Sequence, residues 1–518
     1  MEKIQIMDTT LRDGEQTKGK SYSAAQKRRV VEYLLTELGV NRVEVTSARV
    51  SDGEQKMLQS VMAWARENGY EDCIEILGFV DGKLSVDWIA DAGGRVINLL
   101  CKGSLRHCQE QLKKSLHEHL ADIKQVVAYA VERGLTVNVY LEDWSQGMQN
   151  SPDYVQNLLT GFIRNNLPIK RVMLCDTLGV LNPWQVEHFI RQVDEWHPAL
   201  ILDFHGHNDY GLATANTLAA AVTGLVSGVH CTINGLGERA GNASLDEVVV
   251  NINDHTDMGV DVDESKLRTE SRYIAVMSGQ RVPPNKPISG QNVCVNTAGV
   301  HADGDRKGDD KGPLYQHPKL KPERFGAVLE HSLGKLGGVA SILNNAERLG
   351  IILDRDDAKK ISQRVNQLGD EGRIVTIADL PYLIAEILNQ PEHIIFEVEH
   401  ADSHSATSKR ATTSATIKFK GRKSEIAGHG DGGFDAFMNA LRKWANRRKN
   451  VVVPALIDYD MSIPPGGNSD ALVQVVITWK GVNGEGEFQT IGVHSDQVLA
   501  AIDAAKSAMN VCNQNHHS

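Results

Sequence analysis

The sequence predicts an α/β protein in which a (β/α)8 barrel precedes helical linker subdomains and a C-terminal α+β domain. Eight short apolar runs alternate with helix-like stretches, this rhythm stops near residue 260, and two similar strand–helix segments follow residue 396. Such alternation of strands and helices is typical of a parallel sheet. The expected parts are a barrel over 1–270, a lid and helical linker over 271–395, and the C-terminal domain over 396–518.

The barrel prediction depends on the eight apolar runs. Continuous apolar runs indicate strands that are buried on both faces, and eight βα units in about 250 residues match a TIM barrel. An open doubly wound sheet would place a GxGxxG turn after the first strand, and Asp13-Gly14-Glu15-Gln16 is not such a turn. The runs are 4–7, 42–46, 74–79, 96–101, 137–141, 171–175, 201–204 and 229–233.

Polar residues follow several of these runs, at the end of the strands where a barrel carries its catalytic groups. They are Arg12 and Asp13 after the first run, Glu142 after the fifth, Thr177 after the sixth, and His205 and His207 after the seventh. Two histidines at i and i+2 on a strand point to the same side. Such a pair is more often structural than metal-binding, but its position at a strand end, with the Asp13 carboxylate available, favours a divalent-metal site.

Composition argues against several classes of function. The chain has 518 residues, 41% of them hydrophobic and 23% charged, as in an ordinary globular protein. A net charge of −11 and the lack of a basic patch interleaved with aromatic residues argue against a nucleic-acid partner. No run approaches the ~18 apolar residues of a membrane helix. Seven cysteines without a CxxC pair, and no signal-peptide pattern, predict reduced thiols in a cytoplasmic protein.

The region after the barrel has a different pattern. Residues 280–320 are rich in proline, glycine and charge, which predicts a solvated loop or a mobile lid that contains His301. Helical patterns follow over 358–368 and 378–388.

The C-terminal domain contains two similar segments, each with a strand followed by a helix. The strands are expected over 415–419 and 471–479, and the helices over 435–447 and 496–509. This repetition predicts a small pseudo-symmetric α+β module. Because it offers no metal-ligand cluster and no nucleophile–base pair, regulation or dimerisation is its expected role.

Two motifs resemble the signatures of the isopropylmalate/homocitrate/citramalate synthase family of metal-dependent TIM barrels. They are Leu11-Arg12-Asp13-Gly14-Glu15-Gln16 with Lys27, and His205-Gly206-His207-Asn208-Asp209-Tyr210-Gly211. The GxGERxGN segment at 235–242 and His-Ala-Asp-Gly at 301–304 also fit. The resemblance extends over essentially the whole chain, because the C-terminal module resembles the family's allosteric dimerisation domain. It implies a homodimer that transfers the acetyl group of acetyl-CoA to a 2-keto acid and then hydrolyses the thioester.

The resemblance also implies roles for individual residues. Asp13, His205 and His207 would hold Mg²⁺, Mn²⁺ or Zn²⁺, with Asn242 as a weaker ligand unless it only caps the following helix. Arg12 would stabilise the developing alkoxide.

Further roles concern the substrates. Thr177 would hydrogen-bond the keto-acid carboxylate, and Glu142 would orient Arg12 or assist proton transfer. His301 and Tyr315 are candidates for deprotonating the acetyl methyl group, on a segment that in the family reaches the active site of the other subunit. An apparent insertion at 309–313 leaves the reach of Tyr315 open.

The acceptor pocket is expected to contain Leu77, Leu100 and Tyr140, from the third, fourth and fifth strands. Isopropylmalate synthases tend to carry histidine and serine at the latter two places, so leucine and tyrosine there favour pyruvate as acceptor, citramalate as product and isoleucine as feedback inhibitor. The alternative is 2-ketoisovalerate as acceptor, in leucine biosynthesis. Two further alternatives remain. The C-terminal module argues against a lyase on the same barrel, and the intact motifs argue against a non-catalytic amino-acid sensor.

Overall fold

A computed structural model describes residues 3–308, 313–370, 374–390, 393–406, 409–448, 450–462, 472–481 and 487–514. The chain divides into two compact units, Met1–Val293 and Cys294–Ser518, called here the N-terminal and C-terminal units.

The N-terminal unit is a closed barrel of eight parallel strands in sequence order, so the predicted fold class is confirmed. Strand β1 pairs with both β2 and β8, which closes the sheet. The strands are β1 (Gln5–Asp8), β2 (Arg42–Ser47), β3 (Ile74–Phe79), β4 (Val96–Lys102), β5 (Thr136–Glu142), β6 (Ile169–Asp176), β7 (Leu202–Gly206) and β8 (Val226–Cys231).

Helices follow the strands of the barrel, and local signals define where several of them begin. Ser23 and Gln26 form a capping box at the start of α1, as do Ser115 and Glu118 at the start of α4. The helices are α1 (Ala24–Tyr33), α2 (Asp52–Asn68), α3 (Leu84–Asp91), α4 (Leu116–Glu132), α5 (Trp144–Asn150), α6 (Pro152–Arg164), α7 (Pro183–Trp196), α8 (Ala213–Val222), α9 (Leu245–His255) and α10 (Leu267–Ser278).

The inside of the barrel contains charged side chains near the N-terminal ends of its strands. Arg42 donates to Glu75 at 3.0 Å and also to Asp203, and Arg171 donates to Asp203 at 2.9 Å. His230 Nε2 lies 3.4 Å from Asp203 Oδ2. We call these five residues the buried ion-pair network. Its two guanidinium and two carboxylate groups balance in charge, which limits the cost of burying them.

The first part of the C-terminal unit is mainly helical. It contains β9 (Val295–Asn296), α11 (Gly299–Arg306), β10 (Glu330–His331), α12 (Val339–Arg348), α13 (Arg355–Asp370) and α14 (Leu380–Leu388). The expectation of a solvated loop at 280–320 is wrong for residues 299–306, which form helix α11. Packing overrides the low helix propensity of its glycines, because Ala302 is fully buried and Gly299 lies directly against the backbone of Gly338.

The rest of the C-terminal unit contains two βββα repeats, each with a three-stranded antiparallel sheet. This confirms the predicted α+β module, although the sequence indicated one strand per repeat rather than three. The first repeat is β11 (Phe396–Ala406), β12 (Lys409–Phe419), β13 (Arg422–Gly430) and α15 (Gly433–Ala445). The second repeat is β14 (Ala455–Ser462), β15 (Val473–Lys480), β16 (Glu487–His494) and α16 (Gln497–Asn513).

The two repeats share one hydrophobic core, and each has a glycine where its helix packs closely on its sheet. Phe437 of α15 and Trp479 of β15 belong to the same buried cluster. In each repeat the helix crosses its third strand at a glycine, Gly428 or Gly492, where a Cβ atom would overlap the helix backbone. Asn510 of α16 also accepts hydrogen bonds from the backbone of Phe396, the first residue of β11, and of its neighbour, each at 2.9 Å.

All seven cysteines lie within the described residues and are free thiols, and six of them are buried. Among the described residues, no helix has the length and apolar character required to cross a membrane.

Candidate active site and metal centre

Three predicted metal ligands converge at the C-terminal end of the barrel strands. His205 Nε2 and His207 Nε2 lie 3.4 and 3.6 Å from Asp13 Oδ2. The ligand atoms of the three residues all lie within 4.8 Å of one another. All three side chains are buried, and Asp13 Oδ1 has no hydrogen-bond partner. One carboxylate and two imidazoles form a donor set that fits a divalent metal ion.

The electrostatics of this cluster also suit a cation. Burial opposes ionisation of Asp13, but the charge of Arg12 and the contacts to the two histidines hold its pKa well below the usual range. Burial lowers the pKa of His207 to about 4, so its ring is neutral at pH 7 and has a lone pair for a metal. With Glu44 beside Arg12, the three charged side chains at the centre carry a net charge of −1.

Asn242 lies beside the three predicted metal ligands. Its backbone forms an isolated β-bridge with His207, and its Nδ2 donates to the carbonyl of Leu236 at 3.0 Å. Its Oδ1 is buried without a partner. The N-cap of α9 is Ser244 rather than Asn242. The oxygen of Asn242 is therefore available to a ligand, and its role as a weak metal ligand stays a prediction.

Arg12 has a different carboxylate partner from the one that the sequence suggested. Its Nε donates to Glu44 at 2.6 Å and its Nη1 to Asp13 at 3.2 Å. Glu44 on β2, which points into the barrel, therefore orients Arg12 in the structure, and not Glu142 as the sequence suggests. Glu44 also accepts hydrogen bonds from Thr9, Asn98 and Tyr140, at 2.8, 2.9 and 3.3 Å.

Glu142 pairs instead with Lys102, at the end of the neighbouring strand. These two residues are opposite each other in the register of β4 and β5. The lysine side chain is 9% exposed, so a second cation is held near the mouth of the barrel. A part for Glu142 in proton transfer stays a prediction.

The three residues expected in the acceptor pocket lie together inside the barrel. Leu77 and Tyr140 belong to one buried cluster, and Leu100 packs against it. The other members and neighbours of this cluster are Met7, Phe79, Met173 and Cys175. The Tyr140 ring meets the His205 ring edge-on, with centroids 5.9 Å apart. An apolar wall therefore lies next to a predicted metal ligand.

Thr177 is held with its hydroxyl hydrogen available. The backbone N–H of Asp143 donates to Thr177 Oγ1 at 2.8 Å, so the hydroxyl accepts there and can donate elsewhere. Arg239 donates to the Thr177 carbonyl at 2.6 Å and forms two hydrogen bonds to Asp209. Hydrogen bonds thus connect the loops that follow β6, β7 and β8, beside the predicted metal ligands.

Comparison with known proteins agrees with this geometry. The HMGL-like family profile matches residues 3–274, and the LeuA allosteric (dimerisation) domain profile matches residues 374–512. The (R)-citramalate synthase CimA of Methanocaldococcus jannaschii is 30% identical over 511 residues, which cover 98% of this chain and 99% of the relative. A protein of Methanopyrus kandleri named "Probable 2-isopropylmalate synthase" is 30% identical over 513 residues, covering 98% of each chain.

The chain belongs to the isopropylmalate/homocitrate/citramalate synthase family. It is therefore a member of a family of metal-dependent condensing enzymes, and its LeuA domain is of a type associated with dimerisation and allosteric control.

The signature lysine of this family is buried inside the protein. Lys27 is fully buried and pairs with Glu15 at 2.5 Å and with Glu54 at 2.8 Å. Glu15 also accepts the backbone N–H of Tyr22 at 2.8 Å. This lysine thereby fixes the loop that carries Arg12 and Asp13.

The other two predicted catalytic residues lie in the C-terminal unit. His301 and Tyr315 stack on each other, with ring centroids 4.2 Å apart and planes inclined by 22°. The Tyr315 backbone N–H donates to Asp305 at 2.9 Å, and Tyr315 is 49% exposed. Most of the suspected insertion, residues 309–312, lies outside the described residues. The catalytic roles of His301 and Tyr315 stay predictions.

Sequence reasoning missed Glu44 and Lys102. Glu44 interrupts the apolar run at 42–46, and a charged residue within a strand that is buried on both faces is the signal that could have identified it. Lys102 has no comparable signal, because its partner becomes evident only from the strand register.

Proposed function

We propose that this protein condenses acetyl-CoA with pyruvate to form (R)-citramalate and free CoA. The observation that carries the choice of acceptor is the apolar wall formed by Leu77, Leu100 and Tyr140 beside His205. Bulky side chains there leave room for a methyl group, whereas a branched alkyl chain would need smaller residues.

In this proposal Asp13, His205 and His207 hold the divalent metal, with Asn242 as a weaker ligand. The bound metal supplies Lewis-acid polarisation of the keto carbonyl. Thr177 donates its hydroxyl hydrogen to the acceptor carboxylate. Arg12, fixed by Glu44, lies where the keto oxygen becomes negative, and a guanidinium held in place needs little reorganisation during the reaction.

The reaction begins with loss of a proton from the acetyl methyl group of acetyl-CoA. The resulting carbanion forms a bond to the keto carbon of pyruvate, whose carbonyl electron pair moves to oxygen as an alkoxide and then accepts a proton. Water next attacks the thioester carbonyl, the carbon–sulfur bond breaks, and CoA leaves as the thiol. Glu142, His301 and Tyr315 are the candidates for the first proton transfer.

The alternative function is 2-isopropylmalate synthesis from 2-ketoisovalerate. It is supported by the probable 2-isopropylmalate synthase of Methanopyrus kandleri, which is as similar to this chain as the jannaschii citramalate synthase is, at 30% identity. Overall identity thus does not separate the two acceptors. The LeuA match argues against a lyase, and the intact Arg12, Asp13 and two histidines argue against a non-catalytic sensor.

The decisive experiment measures CoA release from acetyl-CoA with Mg²⁺ or Mn²⁺ and, separately, pyruvate, 2-ketobutyrate, 2-ketoisovalerate and 2-ketoglutarate. We expect kcat/KM to be highest for pyruvate and activity to disappear with a chelator. A preference for 2-ketoisovalerate would overturn the acceptor assignment but keep the family reaction. No release with any acceptor, with metal present, would contradict the synthase function itself.

A matched pair of variants tests the apolar wall. Leu100→Ala should shift the preference toward larger acceptors by about tenfold, since one methylene in an apolar pocket changes specificity by about 10–200-fold. Leu99→Ala is the control, because the side chain of Leu99 points to the opposite face of β4 and is fully buried there, whereas Leu100 is only partly buried. Equal acceptor profiles for the two variants would contradict the proposed wall.

For the rest of the chain we propose a barrel over 1–270, a lid and helical linker over 271–395 and a regulatory domain over 396–518 that forms a homodimer and binds a branched-chain amino acid. Isoleucine should inhibit if citramalate is the product, and leucine if it is 2-isopropylmalate. Inhibition by either amino acid should vanish when residues 396–518 are removed, and the truncated chain should elute as a monomer in size-exclusion chromatography. Retained inhibition would contradict this assignment.

A further inference from the structure

We infer that His230 determines acceptor specificity as a positioning residue, because it anchors the hydroxyl of Tyr140 and so keeps the pocket wall in place. This inference rests on the proposed function, since it assigns one more residue to the selection of the same acceptor. His230 lies on β8, outside every motif that the sequence analysis identified.

The contacts of His230 connect the pocket wall to the buried ion-pair network. Its Nδ1 lies 3.3 Å from the Tyr140 hydroxyl, and its Nε2 lies 3.4 Å from Asp203 Oδ2. The two rings meet edge-on, with centroids 5.6 Å apart and planes inclined by 88°. His230 is 1% exposed, so no solvent competes for these hydrogen bonds.

The network also selects the tautomer of His230. Asp203 is held by Arg42 and Arg171, which favour its ionised form, and an ionised carboxylate only accepts hydrogen bonds. The hydrogen of a neutral His230 ring therefore belongs on Nε2, facing Asp203. Nδ1 is left with a lone pair directed at Tyr140, so it can accept the phenolic hydrogen.

This hydrogen bond matters because little else holds the Tyr140 hydroxyl. Its other partner is Glu44, at 3.3 Å, which is also occupied by Arg12 and by other donors. The ring packs against apolar side chains, meets His205 edge-on and lies 5.7 Å from the Arg12 guanidinium carbon, but none of these contacts holds the hydroxyl group. Without His230 as acceptor, the tyrosine can tilt toward Glu44 and leave space on the alkyl side of the pocket.

Two variants of nearly equal size isolate the hydrogen bond. His230→Asn can present its amide oxygen close to the place of Nδ1, whereas His230→Leu puts a methyl group there; neither keeps the contact to Asp203. We expect the ratio of kcat/KM for pyruvate to that for 2-ketobutyrate to fall about tenfold in His230→Leu, through a rise in KM for pyruvate, and to stay within about threefold of wild type in His230→Asn.

Two further variants keep the test independent of folding. Tyr140→Phe removes the hydroxyl but retains the ring, so it should lower the ratio by a similar factor, and adding His230→Leu to it should change the ratio little. Val229→Ala weakens packing on the opposite face of β8 and should lower the melting temperature with the acceptor ratio unchanged.

Each outcome has a distinct meaning. An unchanged ratio in both His230→Leu and Tyr140→Phe, with an active wild type, would overturn the role of His230. Equal loss in His230→Asn and His230→Leu would overturn it too, since that points to the Asp203 contact rather than to Tyr140. Failure of the wild type to release CoA with any acceptor would instead contradict the proposed function.

Discussion

The two ends of the barrel interior both contain buried charges, but they are arranged in opposite ways. In the buried ion-pair network, the oxygens of Asp203 face Arg42, Arg171 and His230, so donors meet acceptors. At the other end, where the metal site is proposed, Asp13 Oδ2 faces Nε2 of His205 and Nε2 of His207, and all three atoms can act as acceptors. A neutral, paired network needs no further ligand, whereas converging acceptors with a net negative charge favour the binding of a cation. Burial alone therefore does not distinguish structural from functional charges, and the pairing does.

The largest effect on activity should follow from Asp13→Asn. The variant keeps the shape of the side chain but removes the charge, so kcat/KM should fall at least about 1000-fold, or about 4 kcal/mol of transition-state stabilisation. CoA release and metal content would be measured on the same preparation. Without metal, unfolding by urea should occur near the wild-type midpoint, because Arg12 stays paired with Glu44 and the amide oxygen of the variant can still accept its second hydrogen bond. Wild-type activity in a metal-depleted variant would contradict the assignment of the metal site.

Asp203→Asn should have the complementary effect. It leaves Arg42 and Arg171 buried beside a neutral amide, which should lower the free energy of unfolding by about 3–5 kcal/mol. Urea denaturation followed by circular dichroism measures this change. Catalytic activity per folded molecule should change much less than in Asp13→Asn. A variant that is fully stable but inactive would reverse the distinction between the two ends.

Glu44→Gln probes the middle of the barrel, between the two ends. The amide can keep some of the four hydrogen bonds, but it no longer balances the charge of Arg12. We expect kcat to fall about 100-fold, or about 2.7 kcal/mol, with a smaller change in KM for the keto acid. Glu142→Gln serves as the comparison. A larger loss of kcat in Glu142→Gln, with Glu44→Gln near wild type, would show that Glu142 has the greater catalytic role.

The smallest effect concerns metal-linked stability. A ligand that binds only the folded protein stabilises it by about 1.4 kcal/mol at ten times its dissociation constant. Mn²⁺ should therefore raise the melting temperature of the wild type and of Asp203→Asn by similar amounts, and that of Asp13→Asn by much less. Scanning calorimetry with and without a chelator measures the three shifts. Equal shifts in all three proteins would place the metal elsewhere.

The sequence was sufficient for the order of the strands and for the convergence of Asp13, His205 and His207, because both depend on local patterns. The apolar run at 74–79 coincides with β3, and the two histidines lie at the end of β7 as expected. Pairs of side chains on different strands could not be predicted from local patterns. Arg42 and Glu44 lie within a run that the sequence analysis treats as apolar, but their alternate positions face the barrel interior. The pairing of Glu142 with Lys102 depends on strand register. Helix α11 was missed because packing, not propensity, stabilises it.

Helix α16 belongs to the second βββα repeat, but Asn510 on it also holds the start of strand β11 in the first repeat. At Gly492 the same helix lies so close to its own sheet that even one methyl group would force it away. Helix α16 therefore packs against its own sheet and is hydrogen-bonded to the first strand of the other. A displacement of this helix would therefore disturb its contacts with both sheets, so a local change in one repeat would also be felt in the other.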